Sequence, residues 1–298
     1  MSRRRIALIA FSAVLIVALT IALALGRRAS DHVFFQTLPQ DRPLVHAHRG
    51  GAQLWPENTL VAFAGAVDIG ADVLEMDVFS TADGVPVVIH DTTVDRTTDG
   101  AGPVNSFTLS RLRELDAGYR FRPIAGAPTA DSADEFPYRG QGIRVPTLRE
   151  VFEAFPAEHM IVEVKENNAR LADAMIALVR EFGRENRTLI GSFHHDILEH
   201  VRATAPEIAT HGSERELIPF LVASWLLMGG AMSPGYEAVL VPQRSGPIPV
   251  TTRRFIRAAQ RRNLHVAAWT INDPDQMREL VRRGIDGLIT DRPDLAIE

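Results

Sequence analysis

Short apolar segments rich in β-branched residues alternate with stretches of helical periodicity along most of the chain. The apolar segments predict nine strands, at Leu44–His48, Val73–Phe79, Val85–His90, Met160–Lys165, Thr188–Phe193, Ile208–His211, Ala238–Val241, His265–Thr270 and Gly287–Thr290. The stretches between them predict helices at Leu60–Val67, Leu148–Phe155, Ala169–Phe182, Asp196–Ala203, Arg253–Arg262 and Asp275–Arg283. This alternation is typical of βα units that build a parallel sheet.

Nine strands are one too many for an eight-stranded barrel, and the link between the second and third strands explains the difference. The linker Ser80–Gly84 is short, whereas a parallel crossover needs at least about ten to twelve residues. It also ends in an Asp-Gly turn signal. We therefore expect the third strand to fold back antiparallel on the second, with Glu75 roughly opposite His90 and Asp77 roughly opposite Val88, which returns His90 to the level of the two carboxylates.

The chain is predicted to be an α/β protein, a (β/α)8 TIM barrel over residues 43–298 with a hairpin arm after its second strand. Residues 92–146, which follow the arm, are rich in Gly, Pro, Asp and Thr. A connection of this length is uncommon unless it serves a function, so an elaborated insertion at the rim is expected.

Residues 1–28 have the character of a membrane segment. The run from Ile6 to Gly26 is apolar except for Ser12 and Thr20, and arginines flank it on both sides. About twenty such residues span a bilayer core, which predicts a signal-anchor transmembrane helix. The alternative is a cleaved secretory signal, because residues 22–24 (Ala-Leu-Ala) imitate a cleavage site. A buried core helix is disfavoured, because the run is apolar all round.

The charges beside this segment favour a particular orientation. The arginines at positions 3–5 and the amino terminus slightly outweigh Arg27 and Arg28, which favours a folded domain outside the cytoplasm. We therefore expect a membrane-anchored protein with an extracytoplasmic catalytic domain, or a secreted or periplasmic one if the signal is cleaved. Residues 29–42 are polar and contain Pro39, and we expect them to form a tether.

Composition narrows the chemistry that this domain performs. The chain has no cysteine, which excludes disulfides, zinc–thiolate sites, iron–sulfur clusters and a cysteine nucleophile. The formal net charge of −5 gives no indication of nucleic-acid binding. Almost all basic residues are arginine, and Lys165 is the only lysine. A compact ammonium has properties that a planar guanidinium lacks, so this position is a candidate for function.

Two predicted strands carry charged residues at alternate positions, and alternate positions on a strand share one face. Glu75 and Asp77 lie on the second strand, and Glu163 and Lys165 lie on the fourth. Adjacent carboxylates repel each other unless a proton or a cation intervenes, and Mg²⁺ or Ca²⁺ prefers oxygen ligands of this kind. The alternatives are a solvent-facing pair of acids and a simple salt bridge.

Further polar residues lie at the carboxyl ends of the predicted strands, which is where barrel enzymes have their active sites. His48 and Arg49 close the first strand, and two glycines follow them. His90 closes the arm, and two histidines across a metal suit acid–base chemistry. Trp269 lies at the end of the eighth strand in the predicted series and either packs there or flanks a ligand.

These residues belong to a set of short motifs whose order and spacing resemble the glycerophosphodiester phosphodiesterase family. The resemblance extends from about Val45 to Pro293. The motifs are His48-Arg49-Gly50, Pro56-Glu57-Asn58-Thr59, Glu75-Met76-Asp77, Asp83-Gly84 to His90-Asp91, Glu163-Val164-Lys165, Trp269-Thr270 and Asp286-Gly287-Leu288-Ile289-Thr290-Asp291-Arg292-Pro293.

The resemblance implies a barrel enzyme that hydrolyses glycerophosphodiesters, such as glycerophosphocholine or glycerophosphoethanolamine, to sn-glycerol 3-phosphate and an alcohol. It also implies a role for each candidate residue, namely acid–base catalysis by His48 and His90, phosphate binding by Arg49 and Lys165, and one divalent cation, Ca²⁺ or Mg²⁺, on Glu75, Asp77 and Glu163. Trp269 would line the substrate pocket. The sequence does not indicate an oligomeric state.

Three other functions stay open at this point. The segment from Ile218 to Met232 is unusually apolar and is expected to be a well-buried barrel helix. If it faces a membrane or an acyl chain instead, a membrane-associated lysophospholipase D acting on lysophospholipids is the alternative. A metal-dependent barrel isomerase or aldolase, and a membrane-tethered binding module without catalysis, are weaker alternatives.

Overall fold

The computed structural model describes residues 5, 26–124 and 134–297 and shows a nearly closed barrel of parallel strands. The strands are β1 Leu44–Ala47, β2 Val73–Ser80, β3 Pro86–Val88, β4 His159–Val164, β5 Thr188–Gly191, β6 Ala209–Thr210, β7 Ala238–Pro242, β8 Arg244–Ser245, β9 Ile248–Pro249, β10 His265–Trp269 and β11 Gly287–Thr290. Eight of them follow the order β6-β5-β4-β2-β1-β11-β10-β7. A parallel bridge between His211 and Ala238 joins the two ends.

Helices surround the barrel and connect its strands. In chain order they are α1 Val33–Gln36, α2 Leu60–Asp68, α3 Leu109–Leu112, α4 Leu148–Ala154, α5 Ala169–Glu181, α6 His195–Thr204, α7 Glu214–Trp225, α8 Arg253–Gln260, α9 Pro274–Arg283 and α10 Pro293–Ile297. Side-chain caps define several starts: Thr147 and Glu150 form a capping box at α4, and Asp273 caps α9. Caps of this kind satisfy backbone N–H groups that lack partners in the first turn.

The predicted TIM barrel and its hairpin arm are confirmed, because β3 pairs antiparallel with β2 while all eight barrel strands run parallel. The register predicted for the arm is wrong by one residue. Val78, not Asp77, lies opposite Val88, so His90 also falls one position away from Glu75. Ser80 pairs with Pro86, which centres the turn on Asp83, half a residue later than the predicted pairing requires.

The segment expected to be a tether is part of the folded unit. Within residues 29–42 lies α1, and its Phe34 is fully buried against residues from the start of the barrel strands, including Leu44 and Ala238. Ala29 and Leu38 are buried as well. This segment therefore closes the end of the barrel where the strands begin, and the packed unit starts before residue 43.

The described parts of the insertion, residues 92–124 and 134–146, cover the hairpin arm. They contain α3 and a short 3-10 helix at Val104–Ser106. Val104, Leu112 and Ile143 pack with Val87 of the arm in one apolar cluster. The insertion is therefore anchored on β3 beside the rim.

The apolar segment from Ile218 to Met232 is not well buried, so that expectation is wrong. It forms most of α7 and the turn after it, and Phe220 points into the barrel wall. Its other face is solvent-exposed, with Leu226 and Leu227 at 64% and 72% exposure. A helix on the outside of a barrel buries only one side, and here the outward side is apolar too.

The predicted membrane segment lies almost entirely outside the described residues. Among the residues that the structure describes, no helix has both the length and the apolar character needed to cross a membrane.

A buried histidine, His46, and a partly buried one, His265, lie at the end of the barrel where the strands start. The rings of His46 and His265 stack with centroids 5.7 Å apart, and neither ring nitrogen of His46 has a hydrogen-bond partner in the described chain. Burial lowers the pKa of His46 to about 3 and the pKa of His265 well below its usual value. Both side chains are therefore neutral in the folded protein at moderate pH.

This burial predicts a loss of stability in acid. Below pH 6.5 the unfolded chain protonates His46 while the folded chain does not until about pH 3, so stability falls as the pH drops through this window. In His46→Leu, the slope of unfolding free energy against pH should become shallower by up to about 1.4 kcal/mol per pH unit. Urea unfolding between these limits measures it.

The control is His200→Leu, which removes one histidine from the exposed ion pair with Asp173. An unchanged slope in His46→Leu, or an equal change in the control, would contradict the prediction.

Candidate active site

All eight candidate residues of the sequence line one cavity. It holds about 160 Å³ and opens at the end of the barrel where the strands finish. The lining includes His48, Arg49, Glu75, Asp77, His90, Glu163, Lys165 and Trp269. The cavity therefore lies at the usual position of a barrel active site.

Three carboxylates form the floor of the cavity. Glu75 and Asp77 point inward from β2, and register pairs Asp77 directly with Glu163 on β4. One oxygen from each carboxylate lies within 4.8 Å of the others, and Glu75 and Asp77 are buried. Three acids in so small a volume cannot all carry uncompensated charge.

The carboxylates respond differently to this crowding. Burial, together with the neighbouring Asp77, raises the pKa of Glu75 to about 7. Burial also raises the pKa of Glu163, although Lys165 opposes it. For Asp77, the charges of Lys165 and Arg49 outweigh burial and hold the pKa of the carboxyl below its usual value.

The only lysine of the chain compensates two of these acids. Lys165 Nζ lies 3.0 Å from Glu163 Oε1 and 3.2 Å from Asp77 Oδ1. These contacts raise the pKa of Lys165 despite its burial, so it stays an ammonium. Lys165 directly follows β4, and its side chain lies beside that of Glu163, as the alternation predicted.

Arg49, in the turn after β1, adds a second positive charge beside these carboxylates. Its Nε lies 3.3 Å from Asp77 Oδ2, its Nη1 lies 3.0 Å from Glu57 Oε1, and its backbone N–H donates to Glu75 over 2.9 Å. This turn is left-handed, with φ of 52° at Arg49 and 80° at Gly50. A Cβ at Gly50 would lie 2.7 Å from the side chain of Ala62, so only glycine fits there.

Each of the two histidines is held by a carboxylate through Nδ1. His48 Nδ1 donates to Asp291 over 2.6 Å, and Asn272 donates to the other oxygen of Asp291 over 2.7 Å. Burial lowers the pKa of His48, but Glu75 and Asp291 outweigh it and raise the pKa above its usual value. The ring is fixed in orientation, and its Nε2 lies 3.9 Å from Glu75.

His90 has the same arrangement on the other side of the cavity. Its Nδ1 donates to Asp91 over 2.6 Å, and Arg96 bridges Asp91 to Glu57. Burial lowers the pKa of His90, and the attraction of Asp77 and of Asp91 does not fully offset it. Through Glu57 this network reaches Arg49, so both sides of the site form one set of ion pairs.

An aromatic pair borders the mouth of the cavity. The rings of Trp269 and Phe193 meet edge to face with centroids 6.0 Å apart, and Lys165 Nζ lies 5.6 Å from the Phe193 ring. Phe193 is 59% exposed although it is large and apolar. The mouth therefore offers an apolar surface next to a charged interior.

Sequence reasoning assigned no role to several residues that hold the site together. Asp291, Asn272, Asn58 and Arg96 position the candidate residues through hydrogen bonds, and Phe193 shares the cavity mouth. Asp291, Asn58 and Glu57 did lie inside the quoted motifs. Asn272 and Arg96 had no signal in the sequence, because only the folded chain brings them to the site.

The arrangement is suited to handling negative charge and moving protons. The three carboxylates offer oxygen ligands at a spacing that suits a divalent cation. Repulsion and burial raise the pKa values of Glu75 and Glu163, and a bound cation would take the place of the proton that these carboxyl groups favour. A lysine, an arginine and two oriented imidazoles face the same cavity.

Comparison with known proteins identifies the family. The glycerophosphoryl diester phosphodiesterase family matches residues 48–295, which include every residue of the cavity described above. The chain belongs to this family. It is therefore an enzyme, a phosphoric diester hydrolase, as its motifs indicated.

Curated relatives of similar length support the assignment to the glycerophosphoryl diester phosphodiesterase family. A glycerophosphodiester phosphodiesterase of Caldanaerobacter subterraneus is 34% identical over 262 residues, covering 86% of this chain and 97% of the relative. One from Bacillus altitudinis is 28% identical and covers 85% of this chain and 96% of its own.

Solved structures of the family share the fold. The crystal structure of a glycerophosphodiester phosphodiesterase from Agrobacterium tumefaciens is 28% identical with a TM-score of 0.65, and covers 86% of this chain and 100% of that one. A glycerophosphoryl diester phosphodiesterase domain from Mycobacterium tuberculosis superposes with a TM-score of 0.74 at 23% identity, covering 86% and 98%.

The contact between His48 and Asp291 generates a prediction about proton affinity. In Asp291→Asn the ring keeps its burial but loses a carboxylate that favours its charged form, so the pKa of His48 should fall. Histidine ¹⁵N NMR on the labelled chain follows this titration. The matched control is Asp173→Asn, which removes a carboxylate from His200 on the surface. A His48 titration that is the same in both variants would contradict the assignment.

Proposed function

We propose that this protein hydrolyses glycerophosphodiesters, such as glycerophosphocholine or glycerophosphoethanolamine, to sn-glycerol 3-phosphate and the free alcohol. The observation that carries the proposal is that one cavity holds two histidines paired with carboxylates, three acidic side chains, and the positively charged side chains of Arg49 and Lys165. Membership of the family agrees with it. Each of these groups meets one requirement of phosphodiester cleavage.

Proton transfer is the role proposed for His48 and His90. Cleavage needs one group that removes a proton from the nucleophile, either water or a substrate hydroxyl, and another that protonates the leaving alkoxide. Because Asp291 and Asp91 each accept from Nδ1, both rings are left with Nε2 for the reacting oxygens. A similar pairing orients imidazoles in other hydrolases.

Binding of the phosphodiester is the role proposed for Arg49 and Lys165. The transition state concentrates negative charge on the non-bridging oxygens, and fixed cations stabilise that charge. Both side chains are already held by carboxylates, so their positions do not have to be organised when substrate arrives. Trp269 would then contact the less polar part of the substrate at the mouth.

Glu75, Asp77 and Glu163 would hold one divalent cation, Ca²⁺ or Mg²⁺. The raised pKa of Glu75 and the oxygen-only donor set fit such an ion. When bound, the cation would neutralise charge on a phosphoryl oxygen as a Lewis acid. The residues of the chain supply the proton transfers and the remaining positive charge.

For the location of the enzyme, we keep the proposal made from the sequence. The segment before Gly26 would anchor the protein in a membrane, with the barrel on the extracytoplasmic side. The proposal rests on the apolar run and its flanking arginines. Cleavage of the segment, giving a secreted or periplasmic enzyme, is the alternative.

Activity measurements on the full-length protein test the proposed function. Choline release from glycerophosphocholine should require a divalent cation, disappear with EDTA, and return with Mg²⁺ or Ca²⁺. In His48→Ala and in His90→Ala, kcat should fall by about 10²- to 10⁴-fold, the range expected for loss of a proton-transferring group. His200→Ala is the matched control, because that histidine pairs with Asp173 on the surface, and it should retain full activity.

The same assay with lysophosphatidylcholine tests the alternative substrate. Turnover confined to the lysophospholipid would replace the proposal with a lysophospholipase D function. Full activity in both cavity-histidine variants, or turnover unaffected by EDTA, would contradict the roles proposed here.

A further inference from the structure

The outward side of α7 is the largest concentration of exposed apolar side chains in the described chain. We define the α7 patch as Ile218, Val222, Trp225, Leu226 and Leu227. Their exposed fractions are 54%, 43%, 40%, 64% and 72%, respectively. The first three follow helical spacing, so they share one side of the helix. Scattered apolar residues are ordinary on a surface, whereas a contiguous set marks an interaction site.

A row of arginines lies on α8, the helix that packs beside α7. Four arginines are exposed on α8 and the turn after it, at Arg253, Arg254, Arg257 and Arg261. In the described chain, none of the four forms an ion pair with a carboxylate. Arg254 Nη1 donates to the carbonyl of Trp225 over 2.9 Å, which places this arginine against the patch, whereas Arg253 Nη2 donates to the carbonyl of Arg282 on α9. An apolar surface bordered by unpaired cations suits an anionic lipid interface.

The point where the amino-terminal segment meets the barrel lies next to this surface. Arg262 Nη1 donates to the carbonyls of both Gly26 and Gly230, over 3.0 Å and 2.8 Å, and Gly230 belongs to the turn after α7. A Cβ at Gly26 would lie 2.0 Å from the Gly230 carbonyl oxygen, so the contact is close. The sequence immediately before Gly26 is the apolar run.

From these observations we infer that the α7 patch and the adjoining arginine row rest on the surface of an anionic phospholipid bilayer. The patch inserts its leucines and Trp225 at the level of the headgroups, where tryptophan is favoured. The arginines bind lipid phosphates beside it. The chain enters the barrel at the edge of this surface, so an anchor there would hold the patch against the bilayer.

This orientation has a consequence for the substrate, which rests on the function proposed above. The α7 helix starts at the catalytic rim and leads away from it, and Gly26 joins the barrel near the strand starts. The cavity mouth lies at the opposite end. The mouth would then open to water, and a water-soluble diester would reach it more readily than a lipid held in the same bilayer.

Single-cysteine labelling of the full-length protein tests the orientation, because the chain has no cysteine of its own. Leu226→Cys carries a fluorophore in the patch. Leu60→Cys is the control, since Leu60 is also an exposed leucine and α2 joins β1 to β2 across the barrel from α7. Each labelled protein is placed in vesicles of phosphatidylcholine and phosphatidylglycerol, with and without brominated acyl chains.

We expect brominated lipid to quench most of the emission of the Leu226 label and little of the Leu60 label. With Arg257→Gln and Arg261→Gln added, quenching of the Leu226 label should weaken and lose its dependence on phosphatidylglycerol. Quenching of the Leu60 label alone would mean that the rim faces the lipid, and would overturn the inference.

Two other outcomes would also overturn it. A Leu226 label that is shielded from water but not quenched would indicate cover by the protein's own amino-terminal segment. Shielding that disappears on dilution to one copy per vesicle would indicate a second copy of the chain. None of these readouts depends on hydrolysis, so a failure here is separate from a failure of the proposed function.

Discussion

The site depends on one electrostatic constraint, the burial of three carboxylates within 4.8 Å of one another. Left alone, such a cluster destabilises a fold, because buried charges of like sign cannot be solvated. Lys165 and Arg49 offset the charge in part, and the raised pKa of Glu75 offsets it further. The remaining imbalance favours a cation, so the same repulsion that costs stability prepares the cavity for an ion and an anionic substrate.

The two ends of the barrel have different structural roles. At the rim, paired carboxylates orient His48 and His90, and ion pairs through Arg96 and Glu57 connect the two sides. At the strand starts, α1 closes the barrel with apolar side chains. The exposed α7 patch and the point where the chain enters lie away from the rim, so the membrane contact proposed here would be separate from the chemistry.

The sequence predicted much of this, for physical reasons that also set its limits. Alternation along a strand placed Glu75, Asp77, Glu163 and Lys165 in one cavity, because side-chain direction on a strand is local. The arm's register failed by one residue, since it depends on where a turn is centred. The roles of Asn272 and Arg96 depend on long-range packing. Amphipathic patterning could not show that α7 exposes an apolar side, because from Leu217 to Trp225 every residue except Ser224 is apolar.

The most direct test of the central claim is a titration of the full-length protein with Mn²⁺, followed by electron paramagnetic resonance. The account predicts one Mn²⁺ site per chain. The affinity of this site for Mn²⁺ should fall by at least about tenfold in Glu163→Gln, because even the loss of a residue that only supports a metal ligand commonly lowers metal affinity by about 10- to 100-fold. Glu181→Gln, which removes an exposed acid paired with Arg149, should bind like the unmodified protein. The absence of stoichiometric binding, or equal affinity in all three proteins, would contradict the account.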